Sequence, residues 1–476
     1  MITQNNRKVL NRKEWQMMSP APTTSAAGSF IIKDPAGERR TALYVASATV
    51  QHIYAADEDG WMQIPSMALA GTFGAGACGT WGCWSNTLTA NGGTTTSLTL
   101  AASITDLSND RIIKFLTGAN AGEEVVVSST VVNIVGNNII NFKTALPNVV
   151  SSGDTFQVRS GKYYILNAGT LATGSFKSFD PLTGAYTSLS ITGLPASWGT
   201  EGKMVATPSY VGDFATGTAT SATGTTLVNS AKTWTINQWC NYQVKITGGK
   251  GKGQVRSITT NTATTLTVPT WTTTPDNTST YAIQGNDDYL YLLGNNSVTM
   301  YRYSISGNSW STIAPTAARA SALVTGGSAN WVSVSGNSTW ADESNIQDGR
   351  YIYSFRGGAT SNMDRYNISG GTAGAGTWDS TVAFLNKQET FSTGSSFDVD
   401  GQYIYMVKES TGRVFKFDVV SNSLYPFSID FYSDSTAVNG DKLFTVSYKD
   451  NSGGDTITWL YRVGNTLTTL RRIMIY

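Results

Sequence analysis

The sequence predicts an all-β fold, and three observations carry that prediction. A turn followed by a short aromatic strand recurs along the chain: Gly161-Lys162-Tyr163-Tyr164-Ile165, Asp287-Asp288-Tyr289-Leu290-Tyr291, Gly349-Arg350-Tyr351-Ile352-Tyr353, Gly401-Gln402-Tyr403-Ile404-Tyr405 and Gly440-Asp441-Lys442-Leu443-Phe444. Most copies lead into a second strand, a polar turn and a large apolar residue, as in Met300-Tyr301-Arg302-Tyr303 to Trp310, Met363-Asp364-Arg365-Tyr366 to Trp378 and Val414-Phe415-Lys416-Phe417 to Leu424. Apolar 3.6-residue periodicity, the mark of an amphipathic helix, is sustained nowhere over three turns. Short strands repeating at this period are the signature of a β-propeller.

The elements follow in order. Residues 1–28 read as an N-terminal arm, basic through Arg7, Lys8, Arg12 and Lys13. An arm of this composition is either a frayed terminus or an anchor that orders against a partner. Residues 29–92 read as a first, degenerate blade, with strands at Ala42-Leu43-Tyr44-Val45 and His52-Ile53-Tyr54 and a polar turn closing at Trp61. Residues 159–223 form a second blade, with its turn at Asp180-Pro181-Leu182-Thr183-Gly184-Ala185-Tyr186. Residues 284–476 hold the remaining blades, for about six in all. The last strand, Arg471 to Tyr476, is expected to close the ring by pairing into the first blade, which would leave only short, protected sheet edges.

Two long interruptions, 93–158 and 224–283, repeat each other. Leu116-Thr117-Gly118-Ala119-Asn120-Ala121-Gly122-Glu123-Glu124-Val125 aligns with Ile246-Thr247-Gly248-Gly249-Lys250-Gly251-Lys252-Gly253-Gln254-Val255. Alternating polar and apolar residues around a Gly-rich hairpin predict a small β-barrel or sandwich for each. Insertions of this length are tolerated because loop-closure entropy grows slowly with length.

Bulk composition narrows the function. Only 14% of residues are charged and the formal net charge is +1, which argues against nucleic acid as the main partner. No apolar run reaches the roughly 18 residues of a membrane span. The N-terminus has a basic start without an apolar stretch behind it, so no secretory signal peptide is expected and folding in a cytosol is.

Candidate chemistry is sparse. With a single histidine, His52, no multi-histidine metal site can form. Cys78 and Cys83 are close enough in sequence to be a reduced structural pair, a loop disulfide or two ligands of a metal site that lacks the rest of its ligands. The acidic groups Asp57, Glu58 and Asp59, Asp287 and Asp288, and Asp398 and Asp400 could pair for glycoside hydrolysis, but all sit where hairpin turns are expected. The Gly249 to Gln254 run lacks the Gly-Lys-Ser/Thr close of a phosphate loop and reads as a hairpin. No catalytic, cofactor-binding or metal residue is therefore assigned. Trp81, Trp84, Trp198, Trp331 and Trp340 fall outside the strand repeat and are expected to be exposed, as interface or sugar-stacking aromatics.

The blades resemble the kelch type. Asp180 and Asp418 hold its acidic position, Trp310 and Trp378 its tryptophan, and its paired glycines stand once, as Gly357-Gly358. The inserted modules are similar to β-modules of tailed-bacteriophage virion proteins, through the Thr/Gly start, the Gly-rich hairpin, Leu266-Thr267-Val268, and Trp271, Pro275-Asp276 and Thr280-Tyr281. This resemblance implies a non-enzymatic virion structural protein, a multi-copy docking component of capsid, collar or tail. It would be assembled in the host bacterial cytoplasm, with other virion proteins as partners and neither nucleic acid nor membrane. The alternative is a host-receptor or glycan-binding appendage.

Overall fold

The computed structural model describes the chain apart from residues 1–15, 24–27, 34–40, 48, 57, 71–72, 75, 102–103, 105–110, 133–137, 160, 200, 324–327, 332–348, 380–388, 392–394, 409–412, 428–441, 450–455, 464–469 and 476. Among the described residues the protein is built of antiparallel sheets, with helix confined to short 3-10 turns such as Ser209–Val211 and Thr372–Gly374.

Six four-stranded sheets carry the repeat. Sheet 1 is Phe30–Lys33, Thr41–Val45, Gln51–Ala55 and Gly60–Gln63; sheet 2 is Cys78–Gly82, Lys162–Leu166, Phe176–Asp180 and Ala185–Ser188. Sheet 3 is Lys203–Thr207, Asn286–Leu293, Met300–Ser304 and Ser309–Ile313; sheet 4 is Asn330–Trp331, Tyr351–Phe355, Met363–Asn367 and Thr377–Asp379. Sheet 5 is Ser396–Asp400, Tyr403–Val407, Val414–Asp418 and Ser423–Phe427. Sheet 6 is Lys442–Lys449, Thr456–Val463 and Leu470–Ile475, completed at its outer edge by Gln16–Met18. The first strands of the sheets adjoin one another in this order, and that of sheet 6 returns to that of sheet 1, so the series closes into a ring.

Strand alternation explains why the second strand of each sheet carries an unbroken run of aromatic and apolar residues. Successive side chains point to opposite faces, and each sheet is covered on both. In sheet 2, Tyr163 and Ile165 pack with Leu43, Val45 and Ile53 of sheet 1, while Tyr164 and Leu166 pack with Leu290, Leu292 and Tyr303 of sheet 3. Further cores lie between sheets 3 and 4, 4 and 5, 5 and 6, and 6 and 1.

The turn into the fourth strand has a matching logic. An aromatic at the end of the third strand pairs across to the fourth, as Tyr54 with Trp61, Phe179 with Tyr186, Tyr303 with Trp310 and Tyr366 with Trp378. Their ring centroids are 4.6 to 5.3 Å apart, within the range that aromatic pairs favour. The next residue caps the turn. Asp180 accepts from the Leu182 amide at 3.0 Å, Asp418 from the Val420 amide at 3.0 Å, and Asn367 from the Ser369 amide at 3.1 Å. Each carboxylate or amide oxygen satisfies an amide that the turn would otherwise leave bare.

Three expectations need correction. The last strand does not pair into sheet 1; Gln16↔Arg472 and Met18↔Leu470 register it against the N-terminal segment, inside the stretch read as an arm. The Gly440 to Phe444 copy is a first strand, not a second, because the chain ends occupy the outer half of sheet 6. The two modules do not lie between sheets. Each interrupts one, since Cys78–Gly82 and Lys203–Thr207 are the first strands of the sheets whose second strands follow the modules.

The first module is a closed six-stranded barrel from Leu88–Gly93 to Ser152–Val158. Its core, including Leu98, Phe115, Val127 and Phe156, also takes in Leu182 from the turn of sheet 2. The second module stacks two four-stranded sheets, one holding Gln243–Gly248 and Thr280–Gln284, the other Thr226–Val228 and Thr265–Thr267. Trp239, Tyr242, Trp271 and Tyr281 fill the space between them.

Candidate functional site

Both modules leave the ring after a first strand, and the first strands run side by side around it, so both emerge on the same face and from neighbouring sheets. There they meet, and the meeting is built from their shared hairpin. In the first module the Gly122 amide donates to the Phe115 carbonyl at 2.8 Å; in the second the Gly253 amide donates to the Ile246 carbonyl at 2.7 Å. Gly118 and Gly249 have φ of 79° and 71°, and Gly122 and Gly253 of 87° and 84°, a left-handed region that glycine enters without a Cβ clash. Phe115, not Leu116, is thus the counterpart of Ile246, one position away from the sequence alignment.

The two turns touch through these glycines. A Cβ on Gly253 would stand 1.9 Å from Gly122 Cα, and one on Gly122 would stand 2.5 Å from the Lys252 carbonyl oxygen. Two ion pairs flank the contact. Lys252 Nζ reaches both Glu123 carboxylate oxygens at 2.8 and 2.9 Å, and Lys245 Nζ lies 2.6 Å from Glu124 Oε1. Both are partly exposed, so each adds at most about 1 kcal/mol; what they fix is register.

Beneath this contact a polar knot joins both modules to the ring. The Asp287 carboxylate accepts from Trp84 Nε1 at 3.0 Å, from the Ser209 amide and hydroxyl at 2.8 Å each, and from Gln243 Nε2 at 3.1 Å. Lys114 of the barrel places its ammonium 4.1 Å from the Trp84 ring centroid. Burial pulls the Lys114 amine below its ordinary range, against the opposing pull of Asp287 and Glu124. Burial likewise pushes the Cys83 thiol well up, reinforced by Asp287. The second module also ties to sheet 4: Asn241 Nδ2 donates to the carbonyls of Ile368 at 2.8 Å and Gly374 at 2.9 Å, and Arg302 donates to Asn241 Oδ1 at 2.6 Å.

The aromatics expected at an exposed interface lie elsewhere. Trp81 is buried and packs edge-on against Tyr210, with ring centroids 5.4 Å apart. Trp198 is fully buried and donates to the Gly76 carbonyl at 3.1 Å. Trp84 is half-buried in the polar knot. Each sits in a segment that folds back on distant chain, which hides it. The Trp331 side chain, and Trp340, Arg7, Lys8, Arg12 and Lys13, lie outside the described residues.

Among the acidic candidates Glu58 is exposed, and Asp59, Asp287, Asp288, Asp398 and Asp400 are spent on structure. Asp59 accepts from the Tyr54 hydroxyl at 2.8 Å and the Ser19 amide at 2.9 Å; Asp288 accepts from the Ser304 hydroxyl at 2.7 Å and the Ser306 amide at 2.6 Å. Asp398 pairs with Lys33 at 2.9 Å and accepts from the Thr445 amide at 2.6 Å, joining three sheets; Asp400 accepts from the Thr458 hydroxyl at 3.0 Å. Asp57 lies outside the described residues. Cys78, Cys83 and Cys240 are free and buried. No cluster of metal-ligating side chains occurs among the described residues. What the site offers is a braced, two-module surface. The sequence carried its hairpins but not their contact.

Solved structures that align with nearly the whole chain include the following two. One, from a crystal structure of the mitotic checkpoint complex, is 9% identical, covers 98% of this chain and 92% of its own, and has a TM-score of 0.36. The other, the phage phi92 endosialidase, is 10% identical, covers 98% of this chain and 69% of its own, and has a TM-score of 0.32. No protein-family model and no curated protein matches the chain.

Proposed function

We propose that the chain is a six-bladed, kelch-like propeller that serves docking rather than catalysis, as a virion structural protein of a tailed bacteriophage. It would be a multi-copy component of capsid, collar or tail, with other virion proteins as partners, assembled in the host bacterial cytoplasm. The observation that carries this reading is the braced pair of modules. Two insertions from neighbouring sheets are locked to each other at Gly122 and Gly253 and to the ring at Asp287 and Asn241. A rigid surface loses little conformational entropy when a partner covers it, which suits a load-bearing joint. The low charge of 14% suits surfaces that become buried on assembly. The virion assignment itself rests on the resemblance of the modules to phage β-modules.

The alternative, a host-receptor or glycan-binding appendage, loses the support of Trp81 and Trp198, which are buried. Cryo-electron microscopy of particles carrying a tagged copy of this chain tests the proposal. Symmetric copies, with the paired modules or the ring set against neighbouring proteins, are expected. A chain absent from every particle refutes it, and a flexible distal projection transfers the case to the appendage.

A further inference from the structure

At the neck of the barrel the chain passes out through Asn86 and returns through Lys162, and the two side chains meet. Lys162 Nζ lies 2.8 Å from Asn86 Oδ1. The backbone N–H of Asn86 donates to Asp180 Oδ2 at 2.7 Å. Asp180 stands one register step beyond the Tyr163↔Phe179 pair, opposite Lys162 on the neighbouring strand. Directly opposed residues on antiparallel strands have their Cβ atoms within about 5.5 Å, so an amine, a carboxamide and a carboxyl group share one corner. We propose that Lys162 and Asn86 join through an intramolecular isopeptide bond, with Asp180 as the proton carrier.

The chemistry balances without a cofactor or oxidant. The neutral Lys162 amine adds to Asn86 Cγ, and the new bond is Nζ–Cγ. The proton lost from Nζ passes by way of the Asp180 carboxyl to the departing Asn86 nitrogen. The Cγ–Nδ2 bond breaks and ammonia leaves, so an amine and a primary amide become a secondary amide. Burial biases each group toward the state this needs. Burial lowers the Lys162 amine, against the pull of Asp180, which favours the nucleophilic neutral form. Asp180 is 1% exposed, and burial raises its carboxyl although the Asn86 and Leu182 amides oppose the rise, which favours a form able to give and take a proton. Holding the reactants together removes the entropic cost of their encounter. No described residue bonds to Asn86 Nδ2, so the leaving nitrogen is not held back.

Functionally the bond would staple the two legs of the barrel at the point where it leaves sheet 2. The whole insertion would then hang from a covalent loop rather than from two strands held by hydrogen bonds alone.

Mass spectrometry of the denatured full-length protein reads the bond directly. The expected mass is that of the sequence less one ammonia, and proteolysis is expected to yield a branched peptide joining the Asn86 and Lys162 fragments. Lys162→Arg and Asn86→Ala are each expected to restore the full sequence mass. Asp180→Asn keeps both reacting groups and is expected to accumulate the unlinked chain. A wild-type mass equal to that of the sequence overturns the proposal. So does an ammonia loss with only linear peptides, which would place it at a succinimide such as Asn91-Gly92. Both readouts use the wild-type chain, so misfolding of a variant does not blunt them.

Discussion

Gly253→Ala tests the contact between the modules. Two costs can be worked from the structure. The residue has φ of 84°, and a Cβ in the left-handed region costs about 1–2 kcal/mol. The added carbon would also stand 1.9 Å from Gly122 Cα and 2.7 Å from its carbonyl carbon and oxygen. Those are backbone atoms, which cannot rotate away, so the turns must separate. Overpacking of this kind costs about 1–3 kcal/mol, for a total of about 2–5 kcal/mol. Gly401→Ala supplies the control. Gly401 has φ of 55° with nothing within 4 Å of the added carbon, so it carries the strain without the clash. Urea unfolding of the two variants isolates the steric part, and hydrogen exchange locates it. Exchange is expected to rise in peptides 115–124 and 246–255 of Gly253→Ala, while the cores around Phe156 and Tyr281 keep their protection. If Gly253→Ala is no less stable than Gly401→Ala and exchange in both turns is unchanged, the modules are not braced as described.

Other outcomes follow from single groups. Asp364 is fully buried and binds Arg319 Nε at 2.8 Å and Arg356 at 2.6 Å; Asp364→Asn strands two guanidiniums and is expected to cost about 3–5 kcal/mol in chemical denaturation. His52 is the single histidine, and burial lowers its pKa, so the native state binds fewer protons than the unfolded chain. Its contribution is complete above the ordinary value of about 6.5 and is lost as pH falls through the lowered one. His52→Gln is expected to flatten stability over that window, and the lone imidazole resonance gives the titration directly. Burial pushes the Cys78 thiol up to about 12 and the Cys240 thiol to about 11; an alkylating reagent at neutral pH is expected to leave the native protein unmodified and to label all three cysteines after denaturation.

The aromatic second strands were legible because a strand covered on both faces needs large apolar residues without a break, and Tyr163 to Leu166 shows that run directly. First strands carry weaker signals. Cys78–Gly82 has two glycines and Lys203–Thr207 has no aromatic residue, which is why both modules read as lying between blades rather than within sheets. Sheet 6 misled for another reason. Its outer strand comes from the opposite end of the chain, so no local pattern marks where its repeat stops. At the candidate site the hairpins were visible as a repeat, but their contact is made by two glycines, which offer no side chain to read. The half-buried Trp84 follows the same rule: it reads as exposed because its partner Asp287 lies 203 residues away.

The seam of the ring sets an order on folding. Arg472 Nε meets Gln16 Oε1 at 3.0 Å across 456 positions of sequence, and Met18 stands opposite Leu470. During synthesis Gln16–Met18 leaves the ribosome long before the strand it must join. Until then sheet 6 does not exist, and the apolar faces of Tyr44 and Tyr54, which belong against Tyr461 and Trp459, have nothing to cover them. Contacts of such long range are formed late and slowly. The nascent ring is therefore an open arc whose exposed end is sticky, and its last step is a zip of three residue pairs that seats Gln16–Met18 along the outer edge of sheet 6.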